Sequence, residues 1–509
     1  MPSEGMDMAS AAADREGAQA RADAGSGQPA KRPWRVKFFY GLGSIAFGVK
    51  DNGFTYLLMI FYNQALGVPA AAVGLAIMVA LLVDAIADPL IGTWSDNVRS
   101  RLGRRHPFMY AAALPIAVSY FFLWNPPSDY DAQELFWYLL ILSILIRLCI
   151  SMYEIPSSAL VVDLAESYDD RTEFLSYRWF FGWIGGLTIS ILGFSVFLRS
   201  TPEHPTGTLN IEGYSLYGLT ASLMMFAAIL ISSYGTQHLV RTFRPVPERR
   251  PFIFARSARE TMETIVNRPF LTIAGATLFS YAATGIAAAV LTYFRVYFWE
   301  LTGDQISLLL VGNFAAVFMA LFVAPRFATR MGKKRAQIML WIAFIIASPA
   351  MYWSRLMGWL PANGTELLYW LLFTSSFINT LLAVCLGTIG SSLLADVVEH
   401  SAARTGRHSA GLIFATNAFM LKATSGIGAF GAGIILAFVE FPENAKVGDV
   451  SQQVLVNFAW TEPAVIMALQ LCALGLIIAY PITKAMHEAN LRTLAERSKA
   501  SENSAALGG

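Results

Sequence analysis

About twelve stretches of 20 or so mostly apolar residues decide what this chain of 509 residues can fold into. They lie near 37–63, 69–93, 108–124, 134–161, 178–198, 214–240, 269–299, 304–328, 336–354, 364–394, 411–440 and 458–484. Each is long enough to cross the ~30 Å hydrocarbon core of a bilayer as a helix. Only 14% of the residues are charged and 55% are hydrophobic, whereas soluble domains carry roughly a quarter charged residues. The runs are too uniformly apolar for the alternating strands of a membrane barrel, and inside lipid a helix satisfies its own backbone. The expected fold class is an all-α polytopic membrane protein of about twelve transmembrane helices.

The net charge of +2 says little as a total, but its distribution among the loops fixes a topology. Arg99, Arg101, Arg104 and Arg105 follow span two, Arg330, Lys333, Lys334 and Arg335 follow span eight, and Arg241, Arg244, Arg249 and Arg250 open the middle loop. The opposite loops carry Asp129, Asp131, Glu134, Glu440, Glu443 and Asp449. By the positive-inside rule the basic loops and both termini face the cytoplasm, with the chain expected in the cell inner (plasma) membrane. Residues 1–33 read as a disordered tail, with scattered acids and no short apolar core of a signal peptide. The expected segments are a six-helix bundle over 34–240, a linker over 241–268, a second bundle over 269–485 and a tail over 486–509. Cys149, Cys385 and Cys472 fall inside spans at no metal-ligand spacing and read as apolar fillers, so no metal or cofactor is expected.

Charge inside the spans carries the functional signal, because each buried charge costs roughly 2.5–3.5 kcal/mol on insertion scales. Asp84 and Asp88 lie four apart in span two, a spacing that stacks both carboxylates on one helix face. They read as a cation or proton site, or as interfacial carboxylates that snorkel to water. Lys50 and Asp51 interrupt span one; neighbours on a helix point in different directions, so each is expected to meet a ligand or another helix. Arg147 and Glu154 lie seven apart in span four and share a face. Arg178 opens span five, next to Trp179. Lys422 sits about eleven residues, or ~16 Å, into span eleven, too deep to snorkel. It calls for a carboxylate partner or for an anionic or hydroxylated ligand. Arg295 and Glu300 read as interfacial, and Asn313, Asn379 and Asn417 as polar glue between helices.

A repeat divides the chain. Asp163-x-x-Glu166-x4-Arg171-Thr172 recurs as Asp396-x-x-Glu399-x4-Arg404-Thr405, and Gly103-Arg104-Arg105 recurs as Gly332-Lys333-Lys334. Two motifs repeating after six spans imply two homologous six-helix halves, which place a substrate site at their interface near the midplane. Asp96, Arg104, Arg105, Asp163, Arg171, Asp396 and Arg404 are expected to form gates or latches in the repeated loops. Acid–base pairs with an aromatic face suit a sugar, whose hydroxyls bond charged groups while its C–H face stacks on a ring. Two carboxylates held together resist double ionisation unless a cation neutralises them, so the pair on span two can take up H⁺ or Na⁺.

Lys50-Asp51, Asp84-Ala-Ile-Ala-Asp88-Pro89 with Arg101-Leu-Gly-Arg-Arg, Glu154-Ile-Pro156, Ser176-Tyr-Arg178, and Ala395-Asp396 through Arg404-Thr-Gly406 to Lys422 are found together. In that combination the chain resembles the glycoside–pentoside–hexuronide:cation symporters of the major facilitator superfamily, over about residues 34–485. That group contains the bacterial melibiose carrier and is related to animal lysophospholipid carriers. The resemblance implies that Asp84 and Asp88 bind the coupling cation. It also implies that Lys50, Asp51, Glu154, Arg178 and Lys422 lie at the sugar or between sugar and cation. Two departures change the expectation. Ala87 stands where sodium users have an asparagine, which favours H⁺ over Na⁺; Glu154 and Ser158 replace an aspartate and a sugar-stacking aromatic.

The leading expectation is a monomeric H⁺-coupled symporter of a glycoside or oligosaccharide, with lipid around it and no nucleic-acid partner. An amphiphile such as a lysophospholipid or an apolar organic acid is the alternative cargo. A membrane enzyme or sensor finds no nucleophile–base pair, phosphate loop, metal cluster or large soluble domain to support it.

Overall fold

The computed structural model describes residues 32–165, 168–201, 207–242, 268–405 and 410–482, with Met486, Ala489, Asn490 and Glu496. Glu166, Gly406 and most of the two tails and of the linker lie outside the described residues. The described chain is all helical. α1 is assembled from Trp34–Leu42 and Ile45–Asn52 and continues through π-helical turns at Gly53–Leu57 and Phe61–Ala65. There follow α2 (Ala70–Asn97), α3 (His106–Leu123), α4 (Ala132–Leu164), α5 (Tyr168–Leu192) and α6 (Ile211–Gln237). The second set is α7 (Arg268–Tyr293), α8 (Gly303–Met331), α9 (Lys333–Leu356), α10 (Glu366–Thr405), α11 (Ala410–Phe438) and α12 (Gln452–Ile478). Eleven of these helices are long and apolar enough to cross a membrane unaided, and the segmented α1 runs alongside them. The protein is therefore a multi-pass membrane protein.

The acidic loops do local work. Asp131 accepts from the backbone of Gln133 and Glu134 in a capping box that starts α4, and Thr302 with Gln305 does the same for α8. These side chains satisfy backbone donors that the first turn of a helix leaves open.

α1–α6 pack mainly among themselves, as do α7–α12. The broadest seam between the halves is α2 on α11, joined by α1 on α7 and α5 on α8. Close approach at the α2–α11 seam needs small residues, since a Cβ on Gly433 would stand 2.4 Å from Ala70 O and one on Gly74 2.8 Å from Ala429 O. Polar bonds across the halves cluster at one end. Thr292 Oγ1 donates to Tyr56 O at 2.6 Å, Tyr293 OH to Asn63 Oδ1 at 2.8 Å, Gln64 Nε2 to Pro442 O at 2.9 Å, and Ser195 Oγ to Ser307 Oγ at 2.7 Å. That end lies opposite the arginine- and lysine-rich loops. At the basic end the ion pairs described below join, among the described residues, helices of the same half.

The duplicated basic motif is duplicated in structure. Gly103 and Gly332 have φ of 79° and 80°, the left-handed region that side-chain-bearing residues enter only at a cost. After the first turn Arg104 Nη2 bonds both oxygens of Asp163, at 3.0 and 3.2 Å. After the second, Lys333 Nζ bonds Asp396 Oδ1 at 2.6 Å. Each turn thus ties its half to the residue that opens the repeated acidic motif.

Candidate functional site

The i,i+4 spacing on α2 does bring Asp84 and Asp88 to one face, and α4 supplies what lies between them. Ser151 Oγ is 2.7 Å from Asp84 Oδ1 and 2.7 Å from Asp88 Oδ1. One hydroxyl has one proton to donate, so it serves one carboxylate at a time. From the other half, Lys422 Nζ reaches Asp84 Oδ2 at 2.9 Å and Asp88 Oδ2 at 2.5 Å. Arg147 Nη1 of α4 stands 3.5 Å from Asp84 Oδ2, with its guanidinium 4.9 Å from the Phe54 ring. Two anions, Asp84 buried to 3% exposure, are therefore balanced by two cations. Pro89 directly after Asp88, and Pro156 after Glu154, each remove one helical hydrogen bond beside the charges.

Among the described residues, the other expected binding residues make no ion pair or hydrogen bond with this cluster. Lys50 Nζ meets Asp51 Oδ1 at 2.5 Å, and the Asp51 side chain is 61% exposed. The two neighbours were expected to diverge; the long lysine stem instead folds back along the helix and pairs with the next residue. Arg178 Nη1 donates to Ser157 Oγ at 3.1 Å and its guanidinium lies 4.7 Å from the Phe47 ring. Glu154 is half-buried on α4, and among the described residues its carboxylate takes part in no recorded ion pair or hydrogen bond. Glu154 and Arg178 thus form no ion pair with each other, while Lys50 and Asp51 do.

Of the gate residues, Arg104, Arg105 and Asp163 form one cluster: Arg105 lies 3.0 Å from Asp163 Oδ2 and 3.8 Å from Asp96 Oδ1. Asp396 pairs with Lys333 in the second half. Arg171 and Arg404 are exposed and, among the described residues, join neither cluster. A further pairing at the basic end was not anticipated: Lys37 of α1, 3% exposed, meets Asp170 at 2.7 Å and also Glu173, both on α5.

Two residues, Ser151 and Glu462, escaped the sequence reading, and Arg295 is more buried within the protein than that reading implied. Ser151 lies four after Arg147 and three before Glu154, on the face that the charged pair already marked, and its hydroxyl drew no notice beside them. Arg295, expected at the membrane interface, is 4% exposed and lies 5.8 Å from the Tyr56 ring. The π-helical turn Phe294–Phe298 at the end of α7 rotates it inward against α1. Glu462, in an apolar stretch of α12, is 4% exposed; an acid beside a proline in a span was the available signal.

Two six-helix halves joined through an ion cluster midway along α2 and α11 define a secondary transporter of the major facilitator fold, and not an enzyme. The chain belongs to the MFS/sugar transport protein family, whose pattern matches residues 39–484. It is 25% identical to the putative glycoside/cation symporter YagG of Escherichia coli, over 90% of this chain and 94% of that one. It is 22% identical to the isoprimeverose transporter of Lactiplantibacillus pentosus, over 84% and 85% of the two chains. Among solved structures, the inward-open xylose transporter XylE of E. coli superposes with a TM-score of 0.60 at 13% identity, covering 91% of this chain and 99% of that one. These relatives agree with the resemblance read from the motifs.

Proposed function

We propose that the protein is a monomeric H⁺-coupled symporter of a glycoside or oligosaccharide in the cell inner membrane, with its basic loops and both termini in the cytoplasm. The observation that carries this reading is the Lys422 ammonium shared between Asp84 and Asp88 across the seam of the two halves. A proton added to Asp88 cancels one of the two charges that hold Lys422. The α2–α11 link then weakens, and Lys422 becomes available to a hydroxylated substrate. The single proton of Ser151 favours H⁺ as the coupling ion: its second short contact is completed when one carboxyl carries a proton. Sodium binds through several oxygens, and Ala87 offers none where sodium users of the resembling family have an asparagine.

Asp51, Glu154 and Arg178, not tied to the cluster, are the substrate's charged partners in this account. The paired turns Gly103-Arg104-Arg105 and Gly332-Lys333, with Asp96, Asp163 and Asp396, are latches at the cytoplasmic end, and Arg171 and Arg404 exchange into them during closure. The bonds across the halves at the far end support a state open to the cytoplasm. The names of the relatives support a glycosidic cargo.

The experiment is accumulation of a labelled glycoside in proteoliposomes under an imposed pH gradient or an imposed sodium gradient. Uptake above equilibrium under the pH gradient alone is expected; uptake driven only by sodium contradicts the coupling assignment. A second cargo is favoured by one observation. Trp179, Phe180 and Trp183 on α5 are 66%, 49% and 44% exposed, and Trp183 faces Phe314 of α8 at 6.3 Å between centroids. Those rings would suit an amphiphile, and competition by a lysophospholipid but by no glycoside would select it.

A further inference from the structure

Two cations balance Asp84 and Asp88, and they belong to different halves of the protein. Arg147 sits on α4, in the same half as both acids, while Lys422 comes from α11 across the seam. They also differ in burial. The Arg147 and Asp84 side chains keep 8% and 4% exposure, against 28% and 20% for Lys422 and Asp88. One pair is sealed inside a single half; the other spans both halves and reaches solvent.

Arg147 is held where it is by its own half. Its guanidinium lies 4.9 Å from the ring of Phe54, in the first π-helical turn of α1, and Nη1 stands 3.5 Å from Asp84 Oδ2. Its Nε has no hydrogen-bond partner among the described residues. Because α1, α2 and α4 all lie in the first half, parting of the halves carries Phe54, Asp84 and Arg147 together. A guanidinium also keeps its charge when buried, whereas a buried ammonium can give up its proton. From the helices packed on this part of α2, the cations facing Asp84 are Lys422 of α11, Arg147 of α4 and Lys50 of α1. Lys50 is paired with Asp51 and adds no net charge.

Once Lys422 leaves, the two acids are no longer equivalent. Asp84 keeps a cation and stays ionised, while Asp88 has lost its own and, beside a second carboxylate, takes up a proton. We propose that Arg147 is the permanent counter-ion of Asp84, which keeps that acid charged through the transport cycle and confines proton exchange to Asp88. The assignment rests on the H⁺-symport reading above and deepens it: the cluster trades one proton against one ammonium.

The test reads the C=O stretch of protonated carboxyls by infrared spectroscopy of the purified full-length protein near neutral pH, with no substrate present. Lys422→Met stands in for departure of the ammonium, and Asp88→Asn removes the exchanging acid, so Asp88→Asn/Lys422→Met leaves Asp84 with Arg147. No protonated band is expected from Asp84 in that background. Adding Arg147→Gln is expected to bring one in, and a further Asp84→Asn to abolish it; adding Arg147→Lys instead, which restores a cation, is expected to suppress it. An Asp84 band already present before Arg147 is changed would overturn the proposal. So would its absence from an Arg147→Gln variant whose melting curve shows a folded protein.

A bare buried acid can unfold that variant, so the sealed pair is also deleted whole, as Asp84→Asn/Arg147→Gln in the otherwise wild-type chain. This variant is expected to retain the band that the wild type gains on acidification and that Asp88→Asn removes; its loss would overturn the proposal and leave the H⁺ reading standing. A wild-type acidification band that persists in Asp88→Asn would refute the H⁺ reading itself, and the proposal with it.

Discussion

Lys422 of α11 holds Asp88 of α2 at 2.5 Å, so a single ammonium links helices that belong to opposite halves of the protein. Asp84 shares that ammonium at 2.9 Å and Ser151 bridges both acids. The seam is electrically balanced but divisible.

Removing Lys422 leaves two carboxylates facing each other with Arg147 as the remaining ion-pair partner among the described residues. Breaking a buried pair from one side costs about 3–5 kcal/mol, toward the low end here because the Lys422 and Asp88 side chains keep 28% and 20% exposure. Lys422→Met is expected to lower the thermal unfolding midpoint in detergent, and Lys422→Met with Asp88→Asn to recover more than half of the loss. A double variant no more stable than the single one would remove the ion pair from the account.

The two left-handed turns are not equally tolerant. A side chain in that region costs roughly 1–2 kcal/mol. Gly332 has open space around an added Cβ, whereas at Gly103 that atom would stand 2.7 Å from Val240 Cγ1. Gly103→Ala is expected to destabilise more than Gly332→Ala and to slow transport more. Melting curves of the two variants side by side check this ordering.

At the closed end, a side chain at Gly433 cannot coexist with Ala70 O at 2.4 Å from its Cβ. Gly433→Leu is expected to wedge α2 from α11 and shift the population toward the opposite opening. A reporter at Thr292→Cys, behind the bond to Tyr56 O, then reacts faster with an impermeant maleimide added from outside. An unchanged rate would mean that the seam does not close this end.

Much of the fold is legible because lipid leaves few choices: long apolar runs become helices, and a lysine as deep as Lys422 has to find an anion. The repeat was legible because the same glycine turn and the same acid are needed twice, in Gly103 with Asp163 and in Gly332 with Asp396. Backbone irregularity was not legible. The π-helical turns that break α1 and end α7 have no sequence signature here, and one of them carries Arg295, which is buried against α1. Nor does a sequence reveal that Lys50 folds back on Asp51, since that depends on a rotamer.

Glu462 offers a direct rival for the proton. It is 4% exposed and takes part in no recorded ion pair among the described residues, so a neutral replacement removes a buried acid without leaving a stranded cation. Glu462→Gln is expected to keep wild-type pH-driven accumulation and to unfold at an equal or higher temperature. Loss of accumulation in that variant with exchange intact would move the proton site from α2 to α12.

The central claim is that Asp88 carries the coupling proton. External pH is recorded in lightly buffered, right-side-out vesicles as a panel of glycosides and one lysophospholipid are added, with wild type compared against Asp88→Asn. The account predicts alkalinisation evoked by a glycoside in the wild type and none in Asp88→Asn, which retains exchange. Alkalinisation of equal size in Asp88→Asn would contradict it.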